Sequence, residues 1–337
     1  MTFKASLHSL MDGNNLSEDE MLSAMTQVME GEVPDSQLAA FLTALHIKGE
    51  TVPEIVGAAR VMRAKAEKLN ITSMHLVDTC GTGGDGADTF NISTASALVS
   101  AGAGVNVAKH GNRAVSSRSG SADVLKCLGV NLDASHSLVK RCIEEAGIGF
   151  LFAPLMHKAM KHAAGVRKEL GFRTIFNLLG PLTNPANAQA QVLGVFDVKW
   201  VQPLAEVLGD LDCLHALVVH GSDGLDEITL TGESQVAELK NGKVTCYNLD
   251  PEKFGFNFCD SNDLKGGTPE ENATIIQKIL EGEKGPRRDI VLLNSAAAIY
   301  VAGQAESLER GIQLAMDSIE SGKARDKLEA LCYITHN

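Results

Sequence analysis

The segment Asp78-Thr79-Cys80-Gly81-Thr82-Gly83-Gly84-Asp85-Gly86 follows a short apolar run and holds four glycines within six residues. Such a backbone turns tightly and lets main-chain N–H groups approach a ligand, typically a phosphate. Gly81, Gly83 and Gly86 satisfy G-x-G-x-x-G, a weak pattern by itself, and two features oppose a dinucleotide site. The following helix pattern opens only near Ser93, too late for a pyrophosphate to meet its N-terminus directly after the glycines. The next strand ends in Lys109-His110, without an acidic residue for a ribose hydroxyl. No G-K-[ST] follows, which excludes a P-loop. A plain glycine-rich turn is the bland alternative, and the neighbouring segments weigh against it. Asn91-Ile92-Ser93-Thr94 places three polar side chains at a strand-to-helix transition, where helix caps and phosphate ligands both belong. Lys109-His110-Gly111-Asn112-Arg113-Ala114-Val115-Ser116-Ser117, with Ser119-Gly120-Ser121-Ala122-Asp123 behind it, adds positive charge, hydroxyls and backbone donors. His110 alone would read as structural. Lys109 beside it, at the end of a buried strand, favours a site.

The elements that must position these residues fall into two textures. The first 70 or so residues read as helices. Ser17 with Glu20, and Thr51 with Glu54 behind Pro53, are capping-box patterns. Leu38, Phe41, Leu42 and Leu45 make one apolar helical stripe, which the rest of the chain or a second subunit must cover. Beyond residue 75, short apolar runs at 75–77, 104–108, 149–152, 191–196, 216–219 and 290–293 read as strands. Helical patterns lie among them at 93–103, 135–146, 201–208 and 306–321. This alternation predicts an α/β domain around a mostly parallel sheet, with ligands at the strand ends. The segment 262–285 reads as peripheral. The expected division is a helical domain over 1–72, with a later helical contribution around 165–185, and an α/β domain over 73–337.

Composition bounds the function. With 337 residues and 44% apolar content, the chain can bury a substantial core. Aromatics make up only 4% and the net charge is −12, poor material for stacking nucleobases or binding a phosphate backbone. An anionic small molecule would then need a local donor cluster or a metal ion. The seven cysteines are scattered, with no C-x-x-C pair, so neither a disulfide framework nor a zinc site is expected. Their use suggests a reducing compartment. No signal peptide and no membrane-spanning apolar run are visible, so a soluble cytoplasmic protein is expected.

Taken together, Gly81-Thr82-Gly83-Gly84-Asp85, Asn91-Ile92-Ser93-Thr94 and Lys109-His110-Gly111-Asn112, in this order and spacing, closely resemble the anthranilate phosphoribosyltransferase family. The likeness runs over nearly the whole chain. It continues through Arg167-Lys168-Glu169-Leu170-Gly171, the run from Arg173-Thr174-Ile175 to Gly180-Pro181-Leu182-Thr183-Asn184-Pro185, and Asp226-Glu227. The resemblance implies a helical domain joined to a larger α/β domain, an active site in the cleft between them, and a homodimer formed through the helical domain. It implies that 5-phosphoribosyl 1-pyrophosphate (PRPP) is held by Gly81, Gly84, Asp85, Thr89, Asn91, Ile92, Ser93 and Thr94. Lys109, His110, Gly111, Asn112, Arg113, Ala114, Val115, Ser116, Ser117 and Ser121 would complete that site. Anthranilate would be held by Asn112 and Arg167, in a channel lined by Gly81, His110, His157, Gly180 and Pro181. Two Mg2+ ions would bind through Ser93, Asp226 and Glu227, and His110, Lys109 and Arg167 would be the catalytic candidates. Similar sequences usually carry proline after the equivalent of His157 and before that of Val166. Here Lys158 and Gly165 stand there, which loosens the backbone around the channel.

The implied reaction displaces pyrophosphate from C1 of ribose by the amine of anthranilate. Its leaving group is multiply charged, so positioning and charge stabilisation should dominate. Mg2+ binds through one or two carboxylates plus substrate phosphates, the sparse style that Asp226-Glu227 offers. Taken alone, that pair is simply a solvated acidic loop. Arg167 presents a fork suited to a carboxylate. An aryl amine is neutral at pH 7 and needs no strong base, in keeping with the lack of a nucleophile–base signature; His110 is a candidate acceptor for the released proton. Two alternatives stand beside this reading. One is a pyrimidine nucleoside phosphorylase of similar architecture, whose loop after Lys-His differs from Gly111-Asn112-Arg113. The other is a non-catalytic, nucleic-acid-binding paralogue, against which the net charge of −12 speaks.

Overall fold

The computed structural model describes residues 2–71, 75–114 and 118–337. Four helices open the chain: α1 (Phe3–Met11), α2 (Glu18–Glu30), α3 (Asp35–Lys48) and α4 (Val52–Lys65). Ser17 closes its capping box, its N–H donating to Glu20 Oε2 at 2.8 Å and its Oγ accepting from Glu20 N at 3.4 Å. At Thr51 only half the box forms: Thr51 N donates to Glu54 Oε2, while Thr51 Oγ1 is buried without a partner. Glu54 is fully buried and is used three ways. It accepts from Thr51 N, from Leu16 N at 2.9 Å and from Lys48 Nζ at 3.0 Å. That satisfies a carboxylate which burial would otherwise make costly.

The chain then builds a sheet. The next elements are β1 (Leu76–Asp78), α5 (Ile92–Gly102), β2 (Asn106–Gly111), α6 (Ser121–Cys127), α7 (His136–Arg141), β3 (Ile148–Phe152), α8 (Ala153–Met156), α9 (Lys161–Leu170) and α10 (Ile175–Leu179). They are followed by β4 (Ala190–Gly194), α11 (Val201–Asp210), β5 (His215–Gly221), β6 (Ser234–Lys240), β7 (Lys243–Leu249), α12 (Pro269–Leu280), α13 (Pro286–Val301), α14 (Leu308–Glu320) and α15 (Lys323–His336). The strand order is β3-β2-β1-β4-β5-β6-β7. The first five are parallel, with Val77 facing Val107 and Ala190, and β6 and β7 add an antiparallel edge. The mostly parallel α/β sheet and the helical N-terminal unit therefore match expectation.

Two large cores flank the sheet, beside a smaller cluster around Leu76, Ala108 and Leu151. One collects α5, α13, α14 and α15 against the inner strands. The other joins α1–α4 to α9, α10 and α11. The stripe of Leu38, Phe41, Leu42 and Leu45 is buried in that second core, so this chain covers it by itself, without a second subunit.

Three expectations need correction. Residues 290–293 are not a strand but the first turns of α13, a helix apolar on nearly every side because it packs between α5 and α14. Periodicity cannot separate a fully buried strand from a fully buried helix, and only packing between α5 and α14 settles this run as helix. The segment 262–285 is not peripheral, since α12 places Ile276, Ile279 and Leu280 in the first core. Residues 135–146 begin as α7 but widen into a π-helical turn over Cys142–Ala146. The β6–β7 hairpin was also not separated from its surroundings, although its turn, Asn241-Gly242, has the positive φ angles of 53° and 71° that favour these two residue types.

Gly165 lies in the exposed interior of α9, with open space where a Cβ would stand. Gly165→Ala should therefore stabilise the protein by about 0.5–1 kcal/mol. The check is a higher urea midpoint at unchanged slope.

Candidate active site

The sheet reverses its winding at β1, with β2 and β3 on one side and β4 and β5 on the other. Ligands of open α/β sheets bind beyond the strand ends at such a switch point. The glycine loop leaves β1 there, with Gly83, Gly84 and Gly86 at φ of 65°, 80° and 73°, where side chains are strained. It is fastened to the end of β4: Thr82 N donates to Gly194 O at 2.8 Å, and Phe196 N donates to Thr82 Oγ1 at 3.0 Å. Arg173, in the link between α9 and α10, donates to Gly84 O and lies 4.1 Å from the Phe196 ring centroid.

The acidic pair closes on this loop. Gly83 N donates to Asp226 Oδ2 at 2.7 Å, and Ser93 N, in the first turn of α5, donates to Glu227 Oε1 at 3.1 Å. A Cβ on Gly194 would stand 1.5 Å from Asp226 O, so this close approach requires glycine. Asp85 lies close enough for its charge to act on Asp226. Three carboxylates thus share one corner. Desolvation, then the Asp85 and Glu227 charges, push Asp226 well above the usual carboxylate range. Desolvation raises Glu227 to about 8, although Lys109 opposes it. Both residues remain partly exposed. Such a set is short of positive charge. Thr94 Oγ1, buried beside it without a partner, is a further donor awaiting an acceptor. Oxygen-only donors that need phosphate oxygens to complete them fit Mg2+.

Lys109 Nζ runs beneath this corner, donating to Thr79 O, Thr79 Oγ1 and Ser93 Oγ at 3.2, 3.1 and 3.2 Å. Asn91 Oδ1 accepts from Asn272 Nδ2 of α12 at 3.0 Å and from Ser119 Oγ at 3.2 Å. Ser121 Oγ and Ala122 N donate to Asn112 O, holding the loop after β2 back against α6. Gly111 allows this, since a Cβ there would meet Ser121 Oγ and Phe150. Arg113 lies 5.7 Å from the Phe152 ring, Ala114 N donates to Asp123 Oδ2, and Thr89 pairs with Lys265 in an isolated bridge. The Ile92 side chain is buried in the core, leaving only its main chain for a ligand. Val115, Ser116 and Ser117 lie outside the described residues.

On the other side of Lys109, His110 and His157 stand with ring centroids 5.1 Å apart. Gly180 O lies 3.1 Å from His110 Nδ1, so the neutral ring donates there and leaves Nε2 an acceptor without a partner among the described residues. His157 Nε2 is likewise buried and unpartnered. Desolvation, then the neighbouring His157, lowers His110 to about 3; desolvation lowers His157 to about 4. Pro181 O accepts from Gln191 Nε2 at 2.8 Å. Arg167 lies half-buried, 5.1 Å from the Phe176 ring, where desolvation lowers its pKa, and it makes no ion pair among the described residues. Asp78, Cys80 and His110 bring ligand atoms within 4.8 Å of one another. Their chemistry does not suit Mg2+: Asp78 is saturated by His110 N and Asn184 Nδ2, and burial drives the Cys80 thiol far up.

The sequence model of the glycosyl transferase family, a/b domain, matches residues 73–325, and that of the family's helical bundle domain matches residues 4–66. The anthranilate phosphoribosyltransferase of Acetivibrio thermocellus is 56% identical over 334 residues, which span 99% of this chain and 97% of that protein. The chain belongs to the anthranilate phosphoribosyltransferase family. Among solved structures, the Thermus thermophilus enzyme of that name superposes with a TM-score of 0.94 at 47% identity, covering 98% of this chain and 99% of that one. The Saccharomyces cerevisiae enzyme, in complex with PRPP and Mg, gives 0.90 at 27% identity, covering 99% and 98%. The same yeast enzyme is also known with 4-fluoroanthranilate. Family membership sets aside the nucleoside phosphorylase and non-catalytic readings.

Within this family frame, four residues of the site carried no assignment from the motifs. Asp78 and Asn184 knot β1 to β2 and to the segment after α10. Arg173 and Asn272 fasten the glycine loop and Asn91. An aspartate closing a buried apolar strand was a visible signal. The other three reveal themselves only through their distant partners.

Both imidazoles stay neutral in the fold, whereas an unfolded chain protonates them below about pH 6.5. The stability tied to His157 is therefore complete above that pH and is lost as pH falls from about 6.5 towards its folded value of about 4. Asp78, raised to about 6 by burial, tilts stability the opposite way on acidification. His157→Gln should flatten the acid loss by up to about 1.4 kcal/mol per pH unit. Urea unfolding of both proteins at pH 7, 6 and 5 gives the difference, in which the Asp78 background cancels.

Proposed function

We propose that this chain transfers the phosphoribosyl group of PRPP to the amine of anthranilate, giving N-(5-phosphoribosyl)anthranilate and pyrophosphate on the route to tryptophan. The observation that carries the reading is the cation-short carboxylate corner of Asp85, Asp226 and Glu227, set against the glycine loop and the first turn of α5. Relatives named for this reaction at more than half identity supply the substrates.

The glycine loop, Asn91, Ser93, Thr94 and the loop after β2, with Ser121, hold the donor through main-chain amides and hydroxyls. Ser93, Asp226 and Glu227 hold two Mg2+ ions, and bound metal offsets the charge on the departing pyrophosphate. Lys109 holds Thr79 and Ser93 in place, bringing its charge to the same corner. Arg167, half-buried without a carboxylate partner, takes the carboxylate of anthranilate and orients the amine. Asn112, Gly81, Gly180, Pro181, His110 and His157 line the path of the aryl ring. As the C1–N bond forms and the C1–O bond breaks, the nitrogen loses a proton. His110 Nε2 is an unpaired acceptor for it, weakly basic but facing a still weaker base.

The helical unit divides from the α/β unit near residue 72. Met11 and Ile47, exposed on α1 and α3, support a homodimer through the helical unit. The scattered cysteines support a cytoplasmic location.

Loss of anthranilate fluorescence should require protein, PRPP and Mg2+ together. Activity that survives chelation, or fluorescence that never falls, rejects the reading. In the same assay Arg167→Ala should raise KM for anthranilate at least about tenfold more than KM for PRPP, since it removes a charge-assisted contact to one substrate only. Equal effects on both would remove Arg167 from the acceptor site.

A further inference from the structure

The loop bearing Asp226 and Glu227 is held from both sides by groups that take no part in binding substrate. On the N-terminal side, Asp223 Oδ1 accepts from Leu225 N at 3.1 Å. Asp223 Oδ2 accepts from Thr229 Oγ1 at 2.8 Å and Thr231 Oγ1 at 2.5 Å, so this carboxylate bridges the two ends of the turn. On the C-terminal side, Asn294 of α13 makes a paired contact with one residue. Ile228 N donates to Asn294 Oδ1 at 3.0 Å, and Asn294 Nδ2 donates back to Ile228 O at 2.9 Å. Asn294 is 2% exposed, and its second amide proton goes to Ile290 O within its own helix.

α13 also grips α5, the helix that supplies Ser93. Ser96 Oγ donates to Val291 O at 3.5 Å, Ser100 Oγ to Ser295 O at 3.4 Å, and Ser295 Oγ to Ser96 O at 3.4 Å. A buried hydroxyl left unpaired is costly, so these contacts hold the two helices in register. One helix thereby sets the position of Glu227 and of Ser93, whose N–H lies 3.1 Å from Glu227 Oε1.

We propose that Asn294, together with Asp223, is a positioning residue for the metal corner: the pair clamps the backbone on either side of Asp226-Glu227 so that both carboxylates face Ser93 and the glycine loop. The carboxylates repel one another and would spread apart on a free loop. Clamped, they stay converged before any cation arrives. This inference rests on the proposed function, which supplies the metal and the donor.

The test is metal binding, read directly. Mn2+ is titrated into the protein with PRPP and its EPR signal compared with a protein-free blank, beside kinetics over a range of Mg2+ concentration. Asn294→Ala and Asp223→Ala should each weaken Mn2+ binding about tenfold or more, the usual effect of removing a group that orients metal ligands. KM for anthranilate at saturating Mg2+ should stay within about twofold, since the acceptor side is untouched. Asp223→Asn keeps an oxygen for Leu225 N and a polar group for the two threonines, so it should restore binding. Undiminished Mn2+ affinity in both alanine variants, even with a lower melting temperature, overturns the inference and makes the contacts merely structural. Should Asn294→Ala fail to fold, Asp223→Ala decides alone, because Asp223 lies on the surface. A wild-type chain that binds no metal overturns this inference and the proposed function together; metal bound equally by wild type and variants overturns this inference alone.

Discussion

The buried carboxylate of Asp78, at the end of β1, constrains what surrounds it. A carboxylate taken out of water must be met by donors, and this one takes His110 N at 3.0 Å and Asn184 Nδ2 at 2.7 Å. The first bond reaches the neighbouring strand β2; the second reaches the segment after α10. That same segment presents Gly180 O to the His110 ring, while Asn184 Nδ2 also reaches Ala108 O. One desolvation requirement thus joins the strand that leads into the glycine loop, the strand that ends in Lys109-His110, and the turn that lines the opposite wall. The switch point of the sheet supplies the crevice, and Asp78 fixes its floor.

Charge explains how an acidic chain can handle anionic substrates. The net charge is −12, yet the site gathers both signs of charge. Asp85, Asp226 and Glu227 crowd one corner and call for cations, with Lys109 behind them. Arg167, over the Phe176 ring, has no carboxylate partner among the described residues. His110 and His157 stay neutral, because burial disfavours their charged forms. In a reaction between two anions, position and electrostatics do more than any proton transfer.

The departures at Lys158 and Gly165 have modest structural effects. Lys158 sits in a short 3₁₀ turn and pairs with Glu67 at 3.1 Å on the surface, an exposed contact of little energetic weight. Gly165 is simply a helical glycine in open space. Both lie on elements flanking His157 and Arg167, yet the helix through Arg167 remains continuous.

Local sequence determined much here because the determinants were local. Capping patterns, the stripe of Leu38 to Leu45, the strand–helix alternation and the phosphate-type loop each depend on a few neighbouring residues and their backbone preferences. The Asn241-Gly242 turn carries a local signal of the same kind, which the reading of the sequence missed. What sequence by itself left open was every choice settled by burial on all sides or by partners far along the chain. The run 290–293 could be strand or helix, and only its place between α5 and α14 decided. Residues 262–285 looked peripheral until α12 brought Asn272 to Asn91 across a separation of 181 residues. Asn294 had no local mark of function, since its meaning lies in Ile228, 66 residues away. Backbone propensity acts between neighbours and is written in the sequence. Desolvation and hydrogen-bond satisfaction act between whatever the fold brings together, so the tertiary structure alone decided them.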